Sequence, residues 1–410
     1  MRRFATILSR MLSSTPPTAT AARAPVRPKE RFLVFGRPTI EEPEIAEVVD
    51  SLRTNWLGTG PKVAQLERDF AAYKGTPKAV AVHSCSAALH LSILAARLQP
   101  GDEVITTPLT FCATVNAILH AGAQPVLADV DRRTMNIDPQ SVERAITPRT
   151  RAILPVHFAG RACDMDAIMD IAKRRGLVVI EDCAHAIETE YKGRKAGTFG
   201  DFGCFSFYAT KNMTTGEGGM VLAQDEAQAA RLQTLALHGM STGAWKRFSD
   251  DGYKHYSVVE LGFKYNMMDL QAAIGIHQLP RVERWHARRA QIWHRYDHAF
   301  SNLPVELPAA PEADTRHAMH LYTLLVDEAR APVSRDGFLD GMTANGIGVG
   351  VHYMSVPEHP YYQQRLGWKP SDWPIAMQIG RQTVSLPLSA GLSDADVDDV
   401  IAAVKRVLGA

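Results

Sequence analysis

Between residues 79 and 180, short apolar segments alternate with segments of helical period. The apolar segments lie at 79–82, 104–107, 125–127, 152–156 and 177–180. Between them, apolar residues recur with the spacing of an α-helix at 87–96, 113–121, 139–145 and 165–175. Two further strand candidates follow at 203–207 and 219–222. Continuous apolar strands separated by helices predict a mainly parallel sheet that is covered on both faces.

The segments on either side of this alternation predict the rest of the architecture. Two helices precede the sheet, at 41–53 and 63–73, and a turn-rich loop at 55–61 joins them. A helical stretch from 267 to about 303 follows the sheet, and Pro280 should break or kink it. The remainder predicts a smaller α+β unit, with apolar segments at 320–326 and 348–352 and helices near 337–345 and 394–408.

A chain of 410 residues suits one large and one smaller domain. We expect a large domain at 32–305 and a small C-terminal domain at 306–410, because the Pro-rich polar stretch 302–316 favours a boundary. Residues 1–31 are treated as an extension. From Met1 to Lys29 there is no Asp or Glu, and six basic residues are spread among Ser, Thr, Ala and Pro. This composition predicts disorder, although it is also typical of an organelle transit peptide, and a start codon at Met11 or later is a third interpretation.

Composition narrows the possible partners. The 45 basic residues against 44 acidic ones give a net charge of +1, and no long basic stripe is present, so a nucleic-acid partner is disfavoured. No segment approaches the roughly 20 apolar residues that a membrane span requires. The five cysteines include no C-x-x-C pair, which favours neither a disulfide framework nor a zinc site. We therefore expect a cytoplasmic protein with reduced thiols, no bound metal and no membrane partner.

Ligands of an open α/β sheet bind beyond the carboxyl ends of its strands, so the residues after each apolar segment are the first candidates for a site. Asp182 follows the segment 177–180. A carboxylate at a buried strand end needs a partner, because an isolated buried charge is unfavourable. One such partner is the protonated pyridine nitrogen of pyridoxal phosphate (PLP), whose ring then withdraws electrons. The alternatives are an Asp that caps the next helix or pairs with an Arg.

Lys211 lies in the loop after the strand candidate 203–207, five residues beyond Ser206 and shortly before three glycines within 216–219. A lysine amine can form a Schiff base with PLP and then move protons. The serine hydroxyl can donate to the cofactor phosphate, and the glycines allow the backbone to approach a ligand closely. The alternative is an ordinary solvated loop lysine. Because Asp182 and Lys211 follow strands of the same sheet, together they favour a PLP site.

A third strand end offers an anion site. After the segment 79–82, the residues H-S-C-S-A-A-L at 83–89 begin a helix with small side chains. A helix N-terminus presents free N–H groups and a partial positive charge, which suits a phosphate. The alternative is a plain N-cap by Ser84 or Ser86. Phe111 follows the segment 104–107 and can stack on a flat ring, although a lone Phe is more often a core residue.

These residues, in this order, resemble the DegT/DnrJ/EryC1/StrS family of fold-type I PLP enzymes, which are best known as nucleotide-sugar aminotransferases. The resemblance extends from about Phe35 to the C-terminus. It implies a large domain with a mainly parallel seven-stranded sheet and a smaller C-terminal α+β domain. The matching motifs are W-L-G-T-G-P-K-V at 56–63, E-D-C-A-H-A at 181–186, F-S-F-Y-A-T-K-N-M-T-T-G-E-G-G at 205–219, G-F-K-Y-N-M-M-D-L-Q-A-A at 262–273 and V-H-Y at 351–353.

The resemblance also implies a role for each matching residue. Lys211 would form the Schiff base, and Asp182 would pair with the pyridine nitrogen. His185 falls where the family has Gln or His beside the cofactor O3′, and Phe111 falls at the stacking position. The implied phosphate ligands are Ser86, Ala87, Ser206 and Asn266, the last reaching the phosphate of the neighbouring subunit in a homodimer with shared active sites.

The implied reaction is a ping-pong transamination. An amino acid, by resemblance L-glutamate, would donate its amino group to the keto-sugar of a nucleotide sugar, with cell-envelope polysaccharide or a glycosylated metabolite as the product's destination. The chain departs from the family at Cys85 and Ser86, where Gly-Thr is usual, but Ser86 keeps the hydroxyl and phosphate binding should survive. Relatives that dehydrate sugars carry His in place of the lysine, so Lys211 favours transamination.

Other activities stay open. One alternative is another PLP reaction on the same fold, either sugar dehydration or amino transfer to a non-sugar acceptor. The other is a non-enzymatic regulator, which intact Lys211 and Asp182 disfavour. For several candidates a structural role is expected at least as strongly as contact with a substrate: Trp56, Tyr208, Trp245, Lys246, Arg247, His320, His352 and Tyr353.

Overall fold

The computed structural model describes residues 24–241 and 256–410. Its strands are, in chain order, β1 (Lys78–Val82), β2 (Glu103–Thr106), β3 (Gln124–Leu127), β4 (Thr150–Leu154), β5 (Val178–Asp182), β6 (Glu190–Tyr191), β7 (Arg194–Lys195), β8 (Phe202–Ser206), β9 (Gly219–Ala223), β10 (Val305–Glu306), β11 (Thr315–Arg316), β12 (Tyr322–Val326) and β13 (Thr383–Leu386). Its α-helices are, in chain order, α1 (Glu42–Arg53), α2 (Pro61–Lys74), α3 (Cys85–Ala95), α4 (Cys112–His120), α5 (Pro139–Ala145), α6 (Met165–Arg175), α7 (Glu226–Ala236), α8 (Asp269–Gln278), α9 (Val282–Phe300), α10 (Arg335–Ala344), α11 (Pro360–Leu366), α12 (Pro374–Gln382) and α13 (Asp394–Val407).

Seven of these strands form the central sheet, in the order β1-β9-β8-β5-β4-β2-β3. Strand β9 is antiparallel to β1 and to β8. The remaining neighbours in the sheet run parallel. The predicted mainly parallel sheet is therefore confirmed. Each strand and helix predicted between residues 41 and 223 lies within about two residues of its observed bounds.

Helices cover both faces of this sheet because alternate strand residues point to opposite sides. In β1, Val80 and Val82 pack in the apolar cluster that includes α3 and α7. Their neighbours Ala79 and Ala81 pack in a second cluster, with α2 and α8. The sheet is thereby buried on both sides, and its strand ends are the places where polar side chains can meet a ligand.

The C-terminal part of the chain forms a second core. Strands β10, β12 and β13 make a three-stranded antiparallel sheet, packed with α10, α13 and the second half of α9. The predicted break at Pro280 is confirmed, since a 3-10 turn at Leu279–Arg281 separates α8 from α9. The predicted boundary between 305 and 306 falls inside β10, where Val305 pairs with Val326, so Val305 belongs to this second sheet.

Several elements escaped the sequence patterns. They are α7, α11, α12, β10, β13 and the small sheet formed by β6, β7 and β11. The segment 348–352 contributes only an isolated bridge, in which Gly350 pairs with Ser385 of β13. Helices α11 and α12 are short, and each begins with a proline, so their apolar period is too brief to read from sequence.

The described chain packs earlier than the predicted start at residue 32. Arg27 is buried, and its Nη1 lies 2.6 Å from Asp396 Oδ1 and 2.8 Å from Asp399 Oδ2. Its amide donates to Asn345 O at 3.1 Å. Val26 and Arg27, which lie before the expected start of the large domain, thus pack on the C-terminal core. Composition could not show this, since the acidic partners lie 369 and 372 residues away.

Among the helices of the described chain, none is both long enough and apolar enough to cross a bilayer.

Candidate active site

Asp182 is the last residue of β5, and its side chain is buried. Oδ1 accepts a hydrogen bond from the Ala184 amide at 3.1 Å, and Oδ2 accepts one from the Thr114 hydroxyl at 2.9 Å. Burial raises the pKa of Asp182, and these hydrogen bonds and the charge of Lys211 offset that rise only in part. In the described chain no arginine pairs with Asp182 and no helix begins directly after it, so neither alternative use is observed.

Lys211 lies in the loop between β8 and β9, and β8 is the parallel neighbour of β5. Burial lowers the pKa of the Lys211 amine to about 8, against the opposing influence of Cys85 and Asp182. Its Nζ has no hydrogen-bond or ion-pair partner among residues 24–241 and 256–410. An amine without a partner and with a lowered pKa is available as a nucleophile and as a proton carrier.

The predicted anion site lies beside these two residues. Ser84, not Ser86, is the N-cap of α3, and its Oγ accepts from the Ala87 amide at 3.2 Å. Ser86 is exposed in the first turn, so its hydroxyl faces outward. Ser206 ends β8 and pairs with Gly219, where a Cβ would lie only 2.5 Å from the Ser84 carbonyl carbon. Glycine at 219 therefore allows the end of β8, the start of β9 and the segment that follows β1 to pack against one another.

His185, Tyr353 and Phe111 border the same region. The amide of Ala159 donates to His185 Nδ1 at 3.2 Å, which assigns the ring proton to Nε2, 3.0 Å from the Tyr353 hydroxyl. Burial lowers the pKa of His185 well below its usual range, and Lys211 acts in the same direction. The Phe111 ring is 58% exposed, with its centroid 6.0 Å from that of Tyr353. Phe111 is thus not a core residue and is free to contact a ligand.

A buried network behind the lysine loop was not predicted. Asn212 donates through Nδ2 to Glu188 Oε2 at 2.9 Å, and its Oδ1 lies 2.9 Å from His320 Nδ1. Glu188 also pairs with Arg289 of α9 at 2.5 Å. The His320 ring in turn lies against the His185 ring, 4.6 Å between centroids. The residue after Lys211 is therefore tied to α9 and to His185.

The chain as a whole is similar to known proteins. The sequence profile of the DegT/DnrJ/EryC1/StrS aminotransferase family matches residues 38–405. The chain belongs to this family. It is 50% identical over 384 residues to the spore coat polysaccharide biosynthesis protein SpsC of Bacillus subtilis (strain 168), a match that covers 93% of this chain and 99% of SpsC.

Solved structures of other aminotransferases share the fold. Spr1654 from Streptococcus pneumoniae, described as a sugar aminotransferase and solved in a PLP form, has a TM-score of 0.85 at 35% identity, covering 92% of this chain and 99% of that one. PseC from Helicobacter pylori, an aminotransferase involved in the biosynthesis of pseudoaminic acid, has a TM-score of 0.84 at 26% identity, covering 92% and 99%. The protein is a PLP-dependent aminotransferase of fold type I, which confirms the predicted family, fold, enzyme class and cofactor.

The residues of the aminotransferase fit this cofactor chemically. An amine without a partner is present at Lys211, and a buried carboxylate at Asp182. A helix N-terminus with an exposed Ser86 is suited to a phosphate. Gly219 leaves the backbone close-packed around that N-terminus, and any side chain there would collide with Ser84.

Asn266 of this aminotransferase uses both polar atoms of its side chain on residues outside the predicted site. It forms an isolated bridge with Val82 at the end of β1. Its Oδ1 accepts from Lys264 Nζ at 2.7 Å, and its Nδ2 donates to Thr59 Oγ1 at 2.6 Å. It therefore contacts none of the other predicted cofactor ligands within its own described chain.

The substrate candidates fall into three groups. Trp56 and Tyr208 are 52% and 46% exposed, so they are available to a ligand. His320 and His352 make internal contacts, to Asn212 and to Ser385 Oγ at 2.8 Å, while Tyr353 contacts His185. The remaining three candidates, Trp245, Lys246 and Arg247, lie outside the described residues.

Proposed function

We propose that this aminotransferase moves an amino group from L-glutamate to the keto-sugar of a nucleotide sugar, by ping-pong transamination in polysaccharide biosynthesis. The names of two relatives support the acceptor class, since SpsC is a spore coat polysaccharide biosynthesis protein and PseC takes part in making pseudoaminic acid. The structural observation that carries the proposal is the partnerless Lys211 amine of lowered pKa in the loop that follows β8, next to the strand that ends at Asp182.

Lys211 is the residue that holds the cofactor and moves the proton. When bound, PLP supplies the carbonyl carbon that receives the amino group and a ring that withdraws electrons from the reacting carbon. A lysine pKa of about 8 is close to neutral pH, so the freed amine can accept the proton of the donor Cα and deliver it to the cofactor C4′. Water would then release the donor as its 2-oxo acid, leaving the nitrogen on the cofactor, and the same steps in reverse would place the amino group on the sugar carbon and return the water.

The remaining predicted residues would bind the cofactor and hold its ring in position. Asp182 holds the proton on the ring nitrogen, and Phe111 covers one face of the ring. His185, held by the Ala159 amide and the Tyr353 hydroxyl, would lie on the O3′ side of the ring. The hydroxyls of Ser86 and Ser206 and the first free amides of α3, including Ala87, bind the phosphate.

We infer that the functional unit is a homodimer in which Asn266 reaches the phosphate of the neighbouring subunit. Asn266 contacts no other predicted ligand of its own chain, and exposed apolar side chains precede it at Val258, Val259 and Leu261, which are 65%, 62% and 87% exposed. Such a patch favours burial against another surface. The five free cysteines, three of them buried, support a reducing, cytoplasmic location.

The acceptor is tested by product analysis. The purified protein is incubated with L-glutamate and with a panel of keto-sugars, each offered free and as its nucleotide conjugate. We expect equal amounts of 2-oxoglutarate and amino-sugar nucleotide, with little product from the free sugars. Equal turnover of free and nucleotide-linked sugars, or a dehydrated sugar without glutamate consumption, would contradict the proposal.

The shared site is tested by mixing subunits. Lys211→Ala and Asn266→Ala chains are each impaired alone, but a hybrid dimer holds one site with both an intact lysine and an intact asparagine. Co-refolding the two variants should therefore restore part of the turnover. If Asn266 serves its own subunit instead, every hybrid site lacks one of the two residues and no activity returns.

A further inference from the structure

Two buried threonines stand between Phe111 and Asp182. Thr110 and Thr114 are 3% and 1% exposed, and their Oγ1 atoms are 2.8 Å apart. Thr114 Oγ1 is also 2.9 Å from Asp182 Oδ2. Thr110 precedes α4 and Thr114 lies in its first turn, so both hydroxyls belong to the turn that carries Phe111. Neither threonine was singled out by the sequence.

Counting protons gives this chain of hydroxyls a direction. An ionised carboxylate can only accept hydrogen bonds, so the Thr114 hydroxyl must donate its single proton to Asp182. Its oxygen can then only accept from Thr110, which therefore donates. Hydrogen bonds aligned in this way polarise one another and are strengthened in a water-free interior. The Thr110–Thr114–Asp182 chain is consequently a directed relay that ends on the carboxylate.

The relay and one backbone amide together fix the plane of the carboxylate. Oδ2 accepts from Thr114 and Oδ1 accepts from Ala184, one donor to each oxygen. Each oxygen keeps acceptor capacity for one further donor. The N-terminal half of α4 is itself held in place, because Tyr362 donates to Asn116 Oδ1 at 2.7 Å. The turn that presents Phe111 to the cofactor ring thus also orients the acid for the ring nitrogen.

We propose that Thr114, supported by Thr110, is a positioning residue that keeps Asp182 ionised and aimed at the ring nitrogen of the cofactor. The inference rests on the role proposed for Asp182. Burial raises the pKa of that carboxyl, and the Thr114 hydroxyl is one of the few groups that act against it. The other titratable groups whose charges bear on Asp182 are Lys211, His157, Cys85, Cys163, Cys183, Cys204 and Tyr353.

The test measures the cofactor in the holoenzyme, not turnover alone. A protonated ring nitrogen lowers the pKa of the imine nitrogen on Lys211, so loss of the relay should raise the pH midpoint of the visible absorption change. A hydrogen bond to a charged group corresponds to roughly one pKa unit. Thr114→Val should raise the midpoint by about that amount, Thr110→Val by less, and Thr114→Ser should restore it.

Thr106→Val is the matched control. Thr106 is equally buried, and its hydroxyl donates to Leu154 O at 2.8 Å and not to a carboxylate. This variant loses one buried hydrogen bond but should leave the midpoint unchanged. An unmoved midpoint in Thr114→Val, or an equal shift in Thr106→Val, would overturn the relay.

Two further outcomes are informative. If Thr114→Val does not fold, Thr110→Val decides, and an unmoved midpoint there overturns the inference. A wild-type protein that binds no PLP would refute the proposed role of Asp182, whereas a normal wild-type titration with an unmoved Thr114→Val midpoint would refute only the relay.

Discussion

Two lysines of this aminotransferase have the same lowered pKa but very different surroundings. Burial lowers the pKa of both Lys74, at the end of α2, and Lys211 to about 8. The Lys74 Nζ donates to Ile187 O at 3.1 Å and lies 4.6 Å from the centroid of the Phe205 ring. Lys211 has no such partner in the described chain. A shifted pKa alone therefore does not mark a reactive lysine, and the absence of a partner separates the two.

Adjacent acids at the end of β5 show the same contrast. Glu181 accepts from the amides of Gly197, Phe199 and Gly200 at 2.7, 2.7 and 2.8 Å and lies 3.0 Å from His157 Nε2. Burial raises its pKa, but these donors outweigh burial and leave the pKa lowered. Asp182 has only two donors and a raised pKa. Glu181 is thus fully engaged in holding the 197–200 turn, whereas Asp182 keeps acceptor capacity for a ligand.

The largest effect is expected for the lysines. Lys211→Ala should lower turnover by at least about 10³-fold, because both the attachment point and the proton carrier are lost. Lys74→Met, which removes the other amine of lowered pKa, should keep turnover near that of the unmodified protein. Steady-state rates with L-glutamate and the accepted keto-sugar nucleotide measure both. A comparable loss in the two variants would contradict the distinction between the partnerless Lys211 amine and the hydrogen-bonded Lys74 amine.

Substitution of Asp182 should mainly reduce activity, whereas substitution of Glu181 should mainly reduce stability. Asp182→Asn is expected to reduce turnover about 10²- to 10³-fold with little change in unfolding, since Asn cannot hold the ring-nitrogen proton. Glu181→Gln should instead destabilise the fold by about 2–3 kcal/mol, because its amide group turns a donor toward backbone N–H groups. Urea unfolding and steady-state kinetics on both variants make the comparison. Equal stability losses would contradict the division of roles.

The smallest expected effect is on the pH dependence of the unfolding free energy. Each lysine has a pKa of about 8 in the folded protein, against 10.5 ordinarily. Between these values the unfolded chain binds more protons, so the unfolding free energy of the cofactor-free protein should rise with pH. In Lys74→Met, the unfolding free energy should rise by about 1–2 kcal/mol less across this pH range than in the unmodified protein. Urea titrations at several pH values across this window test it, and an unchanged pH slope in Lys74→Met would contradict the lowered lysine pKa.

Local patterns were enough to predict the sheet and to single out Asp182 and Lys211 as site candidates. The strands are short continuous apolar segments, and Asp182 and Lys211 stand where parallel strands end, so both signals lie within a few residues of sequence. Which serine is the N-cap of α3 was not predictable. Ser84 and Ser86 are both good N-cap residues, and only the backbone geometry selects Ser84.

The supporting residues were missed because their partners are distant in sequence. Thr114 lies 68 residues from Asp182, and Arg289 lies 101 residues from Glu188. The local sequence pattern around a buried threonine or arginine does not indicate such a contact. Arg27 was missed for the same reason, since its acidic partners lie in α13, near the other end of the chain.

Reductive capture of the cofactor tests the central claim most directly. Borohydride treatment of the holoenzyme makes the bond between PLP and its lysine permanent, and peptide mass spectrometry then locates the modified residue. We predict a single phosphopyridoxyl group on Lys211, none on Lys74, and no labelling of the Lys211→Ala variant. Modification of Lys74 or of any other lysine in the unmodified protein would contradict the account.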